Sequence, residues 1–598
     1  MAALAAALAV AGCGGDDGTS TDGTPAQRAE SDVNVTEQLF ADSATANLEH
    51  PAQGKRGGKL TVLSSADVDY LDPGKTYYIY TMGILNALHR GLYAYAPDDT
   101  TAPVPDLAAD APDIAPDGKT VTVKMRTGVR FSAPVDREVT SADVKYAIER
   151  AFTANVGNGY VRTYFGDVVG APAKPAVYKP IAGIETPDEA TIVFKLERGT
   201  GAALAGALAM PVSIPVPKEY AQQFDRALPS TYGEGHAVYT GPYMVESDAA
   251  GKPTGYTPQQ RLHLVRNPQY AGVGDFRPAF LDEIEIRAGN DDTGTATRRI
   301  LSGESLASGE IQPPASQLKR LLQSDKEQLS AASGSGWRAI SMDTTKPPFD
   351  DLDVRKAVIA GFDRVAARQQ RGGEALGPIA QHYIPPGMAG FEESNGPDGW
   401  PEFDWMQAPD GDRALSARYF ERAGFPSGRF EGSDPVLLVA GSAEPDRSIA
   451  QIAERQLQEM GFETKLRLVT GDTVITRFCT VPDAEVDVCP SYGWAQDFFD
   501  PQTVLDPTFN GANIRDANNS NWAELDDPGV NAAMEKAKAV IEPAERAAAW
   551  AGVNKRITAL APAIPYMWDY QSVVASPNVR GVQNGYSLTW DWNFTSLR

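Results

Sequence analysis

Helix-like and strand-like patterns alternate along this chain from about residue 58 onward, and this alternation restricts the fold class most. Residues 59–64 alternate β-branched and polar side chains like a strand. Thr140, with Asp143 three residues later, is typical of a capping box in front of an apolar helical stripe. A helical stripe over 449–460 ends at a glycine and is followed by a strand-like segment at 462–469. We therefore predict an α/β fold rather than a β sandwich or a helical array.

Two further helix starts support this prediction. Asp353 precedes an apolar stripe that begins at Val354. Asp527 and Pro528 have the order of a cap residue and a first-turn proline, and a second helix is expected to end near Leu560. No repeat of fixed period is present, which argues against solenoids and propellers.

The first thirteen residues form an Ala/Leu run that ends in Val-Ala-Gly-Cys, the pattern of a bacterial lipobox. In such a signal the cysteine sulfur receives a diacylglycerol, and the preceding segment is removed. We expect residues 1–12 to be a lipoprotein signal segment and Cys13 to be lipidated, so that the protein is extracytoplasmic and held at the cell membrane. The alternative is an accidental Ala-rich start. Because no Lys or Arg precedes the apolar run, we expect the true start codon to lie upstream of Met1.

Residues 13–54 are rich in Gly, Asp, Thr, Ser and Ala, with Arg28 as their only Lys or Arg. Such a segment has too little apolar surface to fold, and we predict a flexible tether.

Charge and length restrict the function classes. Among 598 residues, 78 are acidic and 54 are Lys or Arg, which gives a net charge of −24. Nucleic-acid binding relies on a basic surface, so we expect no nucleic-acid partner. A chain of this length exceeds a single hydrophobic core of about 250 to 300 residues, so we expect at least two lobes. No run of about 18 apolar residues follows Cys13, which argues against a membrane span.

Two cysteines remain, Cys479 and Cys489, and they lie close together in the sequence. In an oxidising compartment we predict one disulfide between them. A zinc site is the alternative, but no histidine is near either cysteine and two ligands are too few. The five histidines have no metal-ligand spacing, and we expect neither a metal nor a cofactor.

Several short stretches occur in a characteristic order along the chain. They are Leu71-Asp72-Pro73, Pro105-Asp106-Leu107-Ala108, 126–131 (RTGVRF), 139–144 (VTSADV), Gly241-Pro242-Tyr243, 266–270 (RNPQY), Pro347-Pro348-Phe349-Asp350 and Asp363-Arg364. Together they resemble the extracytoplasmic solute-binding proteins of ABC importers, of the oligopeptide- and dipeptide-binding (family 5) type. The chain departs from that pattern at 132–136 and 343–345, which weakens any transfer of ligand identity.

The resemblance implies a two-lobed venus-flytrap fold with an extra domain inserted in the N-terminal half, which closes on its ligand by a hinge motion. The implied segments are 55–97, 205–335 and 565–598 for lobe I, 98–204 for the inserted domain, and 336–564 for lobe II.

The resemblance also implies a ligand site. Asp497 matches an aspartate that holds the amino terminus of a bound peptide in similar proteins. Trp494 is expected either to line the cleft or to fill the core of its lobe, and Tyr160 corresponds to a cleft tyrosine from the inserted domain. A buried α-ammonium needs such a carboxylate, because a charge removed from water must be paired.

We therefore predict a monomeric, non-enzymatic binding protein that captures peptides and delivers them to an ABC permease. The alternatives within binding proteins are an oligosaccharide, an opine-like conjugate or a metal chelate as ligand, or a sensory co-receptor role. A secreted glycoside hydrolase is the enzymatic alternative, since it would also contain tryptophans and paired carboxylates.

Overall fold

The computed structural model describes residues 54–97, 99–248, 252–516, 518–586 and 589–598. The predicted signal segment, Cys13 and the predicted tether up to residue 53 lie outside these described residues. Among the described helices, none is both long and apolar enough to span a membrane.

Nineteen strands are assigned within this part of the chain. They are β1 Lys59–Leu63, β2 Tyr93–Ala96, β3 Asp99–Pro105, β4 Asp113–Ile114, β5 Thr120–Lys124, β6 Ile184–Asp188, β7 Thr191–Lys195, β8 Tyr243–Val245, β9 Tyr256–Thr257, β10 Arg261–Arg266, β11 Glu283–Arg287, β12 Leu306–Ser308, β13 Leu329–Met342, β14 Val436–Gly441, β15 Thr464–Val469, β16 Val488–Ala495, β17 Ala563–Val574, β18 Val579–Arg580 and β19 Ser596–Leu597.

The α-helices alternate with these strands. They are α1 Ile79–Leu88, α2 Ser141–Ala151, α3 Val161–Phe165, α4 Gly201–Ala207, α5 Lys218–Ala221, α6 Thr293–Ser302, α7 Ala315–Ser324, α8 Leu352–Gly361, α9 Arg364–Gln370, α10 Arg413–Arg422, α11 Asp446–Glu459, α12 Gly471–Val474, α13 Gln502–Phe509, α14 Pro528–Lys538 and α15 Pro543–Leu560.

Local sequence signals start several of these helices. Thr140 and Asp143 form the predicted capping box at α2, in which the Thr140 backbone N–H donates to the Asp143 carboxylate at 2.8 Å. Asp527 caps α14 by accepting from the Val530 N–H at 2.8 Å, also as predicted. The predicted start of α8 is wrong by two residues. Asp351, rather than Asp353, accepts from the first free N–H groups, because α8 already begins at residue 352.

The strands form three main sheets. The first has the order β12-β1-β11-β10-β8, with β9 added beside β10. The second has the order β15-β14-β16-β13-β17. The third, β4-β5-β7-β6, comes from the chain between β1 and β8, two strands of the first sheet. Helices cover the second sheet on both faces, with α13, α14 and α15 on one side and α8, α10 and α11 on the other. The mixed α/β fold is therefore confirmed.

Two long antiparallel strands, β13 and β17, extend from the second sheet toward the first. Leu329 at the start of β13 pairs with Val574 at the end of β17. Next to this pair, Ala307 of β12 forms a bridge to Ala575. Both strands cross the predicted segment boundaries at 335/336 and 564/565, and the division of the chain into segments stays a prediction.

The predicted disulfide is present. Cys479 and Cys489 are bonded, with their Cα atoms 6.1 Å apart, and both pack in a small apolar cluster with Val439 of β14. The bond connects the segment after α12 to β16, and β16 is the strand that leads into the Asp497 segment.

A buried ion network joins the first sheet to the chain that leads into the third. Asp106 receives hydrogen bonds from Arg90 Nε at 2.6 Å and from Arg277 Nη2 at 2.8 Å. Arg277 also contacts Asp275, with 2.8 Å between Nε and Oδ1. All four side chains are fully buried, so each charge depends on the others for compensation.

We expect Asp106→Asn to lower stability strongly, because the substitution leaves two buried guanidinium groups with a single carboxylate. Breaking a buried pair typically costs about 3 to 5 kcal/mol. Thermal and urea unfolding of the purified protein measure the loss, with the exposed neighbour Asp110→Asn as the matched control. Equal unfolding midpoints for both variants would contradict a structural role for this network.

Candidate functional site

The carboxylate of Asp497 lies at the centre of the candidate site. Asp497 follows β16, and only 5% of its surface is exposed. Its Oδ2 atom accepts hydrogen bonds from the Tyr77 hydroxyl, at 2.9 Å, and from the Tyr164 hydroxyl. Tyr77 lies two residues before α1, a helix that packs on the first sheet. Tyr164 lies in α3, which packs beside the third sheet. Three distant parts of the chain therefore meet at one carboxylate.

A pair of stacked tyrosines contacts the backbone of the same segment. The rings of Tyr95 and Tyr586 lie 4.3 Å apart and are nearly parallel. The Tyr586 hydroxyl donates to the Asp497 carbonyl oxygen at 2.8 Å, and the Phe499 N–H donates to the Tyr95 hydroxyl at 3.1 Å. These contacts fix the backbone on both sides of the carboxylate.

An ion pair to α15 also holds the segment that follows Asp497. Arg546 of α15 binds the Asp500 carboxylate with both nitrogens, Nε at 2.6 Å and Nη2 at 2.9 Å. Such a bidentate pair is geometrically restrictive. Phe498, one residue after Asp497, packs edge-on against the Tyr164 ring with 5.0 Å between ring centroids. The loop therefore has little freedom to carry its carboxylate out into water.

Burial makes the charge on Asp497 costly. The pKa of its carboxyl group is raised to about 7 by burial, although the hydroxyls of Tyr164 and Tyr77 act to lower it. Among the described residues, no Arg or Lys forms an ion pair with Asp497. The nearby Arg515 donates instead to the Gly159 carbonyl oxygen at 2.7 Å. The site therefore offers a desolvated acceptor that lacks a cationic partner.

Trp494 packs partly in the core of its sheet, and a role for it in lining a ligand cleft stays a prediction. Its Nε1–H donates to the Thr503 carbonyl oxygen at 2.8 Å, and its ring packs partly against the core of the second sheet. The ring also meets the Tyr77 ring edge-on, with 6.0 Å between centroids. Trp494 therefore links the core of the second sheet to Tyr77.

Tyr160 is near the site but does not touch the Asp497 carboxylate. It is 1% exposed, its hydroxyl accepts from the Val212 N–H at 3.1 Å, and its ring lies 4.7 Å from that of Tyr77. In this position Tyr160 packs behind Tyr77 and restricts the position of the Tyr77 ring. The hydroxyl that reaches the carboxylate belongs to Tyr164, one helical turn further along the chain.

The sequence provided no pattern for the four tyrosines at 77, 95, 164 and 586. Tyr77 and Tyr164 lie 420 and 333 residues from Asp497, and no periodic motif links positions so far apart. Within the described residues, no cluster of His, Cys, Asp and Glu has the geometry to hold a metal ion.

Comparison with known proteins identifies the family. The model described as "Bacterial extracellular solute-binding proteins, family 5 Middle" matches residues 102–516. The glutathione-binding protein GsiB of Salmonella choleraesuis is 23% identical over 455 residues, covering 76% of this chain and 78% of that protein. The di/tripeptide-binding protein 2 of Pseudomonas aeruginosa is 24% identical over 545 residues, covering 89% and 93%.

A solved structure agrees with these relatives. Clavulanic acid biosynthesis oligopeptide binding protein 2 superposes with a TM-score of 0.76 at 26% identity, covering 93% of this chain and 100% of that one. The predicted two-lobed fold is confirmed by this likeness. Because the family model spans more than half of the sequence, the chain belongs to the bacterial extracellular solute-binding proteins of family 5, which serve ABC importers.

Proposed function

We propose that this protein captures peptides by their free amino terminus, with Asp497 as the group that binds the α-ammonium. The observation that carries the proposal is the burial of the Asp497 carboxylate, which forms no ion pair with a Lys or Arg of the described segments. An ammonium group supplies the missing charge and donates hydrogen bonds at the same time. Tyr77 and Tyr164, which already donate to Oδ2, leave the remaining acceptor positions of the carboxylate for the ligand.

The relatives favour peptides over other amines. All three carry names that describe binding of glutathione, of di- and tripeptides, or of oligopeptides. A peptide also has backbone N–H and C=O groups that a protein can bind regardless of the peptide's sequence.

Binding at this carboxylate is coupled to closure of the two lobes. Tyr77, Tyr164 and Asp497 come from different parts of the fold, so the burial of the carboxylate depends on those parts being together. A ligand that pairs with the buried charge stabilises the closed arrangement over an open one. An ABC permease that recognises the closed form would then receive only the loaded protein.

The remaining features of the role follow from the sequence. Lipidation at Cys13 would hold the binding protein at the outer face of the cell membrane, near its permease. We propose a monomer that binds its solute without a catalytic step and contains neither a metal nor a cofactor.

The proposal predicts a strong dependence of binding on the ligand's amino group. Wild-type protein should bind free-amine peptides, whereas the same peptides with an acetylated amino terminus should bind at least about 100-fold more weakly. Losing one partner of a buried ion pair costs about 3 to 5 kcal/mol, and each 1.4 kcal/mol is about a factor of ten in affinity. Isothermal titration calorimetry on both peptide pools measures this difference.

Asp497→Asn should remove most of the affinity for the free-amine pool and most of the discrimination between the pools. Asp516→Asn, at an exposed position of the same lobe, is the matched control and should behave like the wild type. Equal binding of both pools by the wild type would contradict the proposal. That result would direct attention to an oligosaccharide, an opine-like conjugate or a metal chelate instead.

Relative to Asp497→Asn, the ligand-free wild type should lose stability as the pH rises from about 4 to about 7. The pKa of Asp497 is raised from 3.8 to about 7 in the folded protein, so the unfolded chain releases this proton first. Asp497→Asn cannot lose a proton, and it should therefore unfold at a higher temperature than the wild type at about pH 8 and at a similar temperature near pH 4. Thermal unfolding across this pH range tests the prediction. A wild type that loses no stability relative to Asp497→Asn as the pH rises would contradict it.

Lipid anchoring is tested separately on the full-length protein. In a bacterial host that processes lipoproteins, the protein should partition into the membrane fraction and incorporate a labelled fatty acid. Cys13→Ser should remove both properties, because the serine hydroxyl does not replace the acylated sulfur. Fatty-acid incorporation that persists in Cys13→Ser would place the anchor elsewhere.

A further inference from the structure

A cavity of about 50 Å³ lies beside the stacked tyrosines, away from the Asp497 carboxylate. Its wall contains Met82 and Leu85 of α1, His89 directly after that helix, and Ile214, and the Tyr95–Tyr586 pair closes it on the side of the site. A cavity of this volume has room for a few water molecules or a small side chain, since one water needs about 10 to 15 Å³.

His89 is an unpartnered polar group in this wall. The residue is 2% exposed, and neither ring nitrogen has a hydrogen-bond partner. Burial lowers the pKa of the imidazole to about 3, so the ring is neutral at physiological pH. A neutral imidazole has one N–H donor and one acceptor nitrogen. Leaving both unpaired in a buried place costs about 1 to 3 kcal/mol.

The stacked tyrosines connect this cavity to the solute site. Tyr586 and Tyr95 line the cavity with their rings, while their hydroxyls bind the backbone of Asp497 and Phe499. The cavity is therefore one aromatic side chain away from the segment that carries the carboxylate.

The residues that line the cavity restrict the kind of group that can occupy it. None of the residues that line the cavity is Asp, Glu, Lys or Arg, so a charged group would be buried without a partner. A purely apolar group would leave the imidazole of His89 unpaired. An uncharged group with both a donor and an acceptor satisfies both conditions.

We propose that this cavity is a side-chain subsite of the solute site, which accepts a hydroxyl- or carboxamide-bearing side chain of a bound peptide and hydrogen-bonds it to His89. The proposal rests on the function proposed above and adds a preference that Asp497 cannot provide. Asp497 selects the amino group, which every free-amine peptide shares, whereas His89 selects among the side chains.

The test uses pairs of free-amine tripeptides that differ only by Thr or Val at one position, with Ala elsewhere. Thr and Val have nearly the same shape, so their affinity ratio isolates the hydroxyl. The wild type should favour Thr by about tenfold at one position, as expected for a hydrogen bond worth about 1.4 kcal/mol. His89→Phe should remove this preference, so that the variant binds the Thr and Val peptides with about equal affinity.

Two further variants make the result specific. Ala209→Val adds volume to the cavity wall without changing His89, and it should weaken the Thr peptide more than Ala-Ala-Ala. His236→Phe is the matched histidine control, because His236 stacks on Phe224 and does not line the cavity. Thermal unfolding of His89→Phe checks its folding. Its midpoint should not fall, because the substitution removes an unpaired polar ring.

The outcomes separate the two proposals. No Thr preference at any position, or a preference that persists in His89→Phe, means that the cavity holds water only and overturns the subsite alone. Binding of no free-amine tripeptide, Ala-Ala-Ala included, overturns the proposed function and the subsite with it. A Thr preference lost in His89→Phe and retained in His236→Phe supports both.

Discussion

The structure depends on the buried carboxylate of Asp497, which has no Lys or Arg ion-pair partner in the part of the chain that the structure describes. Water stabilises an exposed aspartate, whereas the Asp497 carboxylate accepts hydrogen bonds from two tyrosine hydroxyls, and these offset part of the lost hydration. Its pKa near 7 reflects that incomplete compensation. Any arrangement that brings Tyr77, Tyr164 and Asp497 together must therefore either accept a proton or obtain a positive charge from a ligand. For a protein that handles peptides, the ligand's ammonium group provides that charge.

Tyrosine side chains can donate hydrogen bonds to a buried carboxylate without neutralising its charge. The pKa values of Tyr77, Tyr164 and Tyr586 are all raised by burial, so each hydroxyl stays protonated and able to donate. Each ring also buries a large apolar surface in a fixed orientation, which keeps water away from the site. A lysine or arginine in the same place would pair with Asp497 permanently and compete with a ligand amine. Neutral donors stabilise the carboxylate and leave its charge available.

The sequence predicted the parts of this arrangement that depend on neighbouring residues. The capping box at Thr140, the cap at Asp527, the disulfide and the α/β alternation each follow from signals within about a dozen residues. The apolar stripe that begins at Val354 predicts a helix start after Asp353, but α8 begins two residues earlier, because the backbone of Leu352 and Asp353 is already helical and Asp351 is the cap. Asp497 was reached through family resemblance. Its tyrosine partners come from turns and helices hundreds of residues away, and His89 gave no signal because its unpaired state depends on packing.

The fixed position of the Asp497 loop explains how a local charge affects the whole protein. A carboxylate on a mobile loop would simply turn toward water, and its burial would cost nothing. Here the Arg546–Asp500 pair and the hydroxyls of Tyr95 and Tyr586 hold the backbone. The Asp497 side chain can therefore regain water only if the parts that carry Tyr77 and Tyr164 move away. In the proposed function, the cost of the unpaired charge thus favours opening when the site is empty, and a ligand ammonium that removes this cost favours closure.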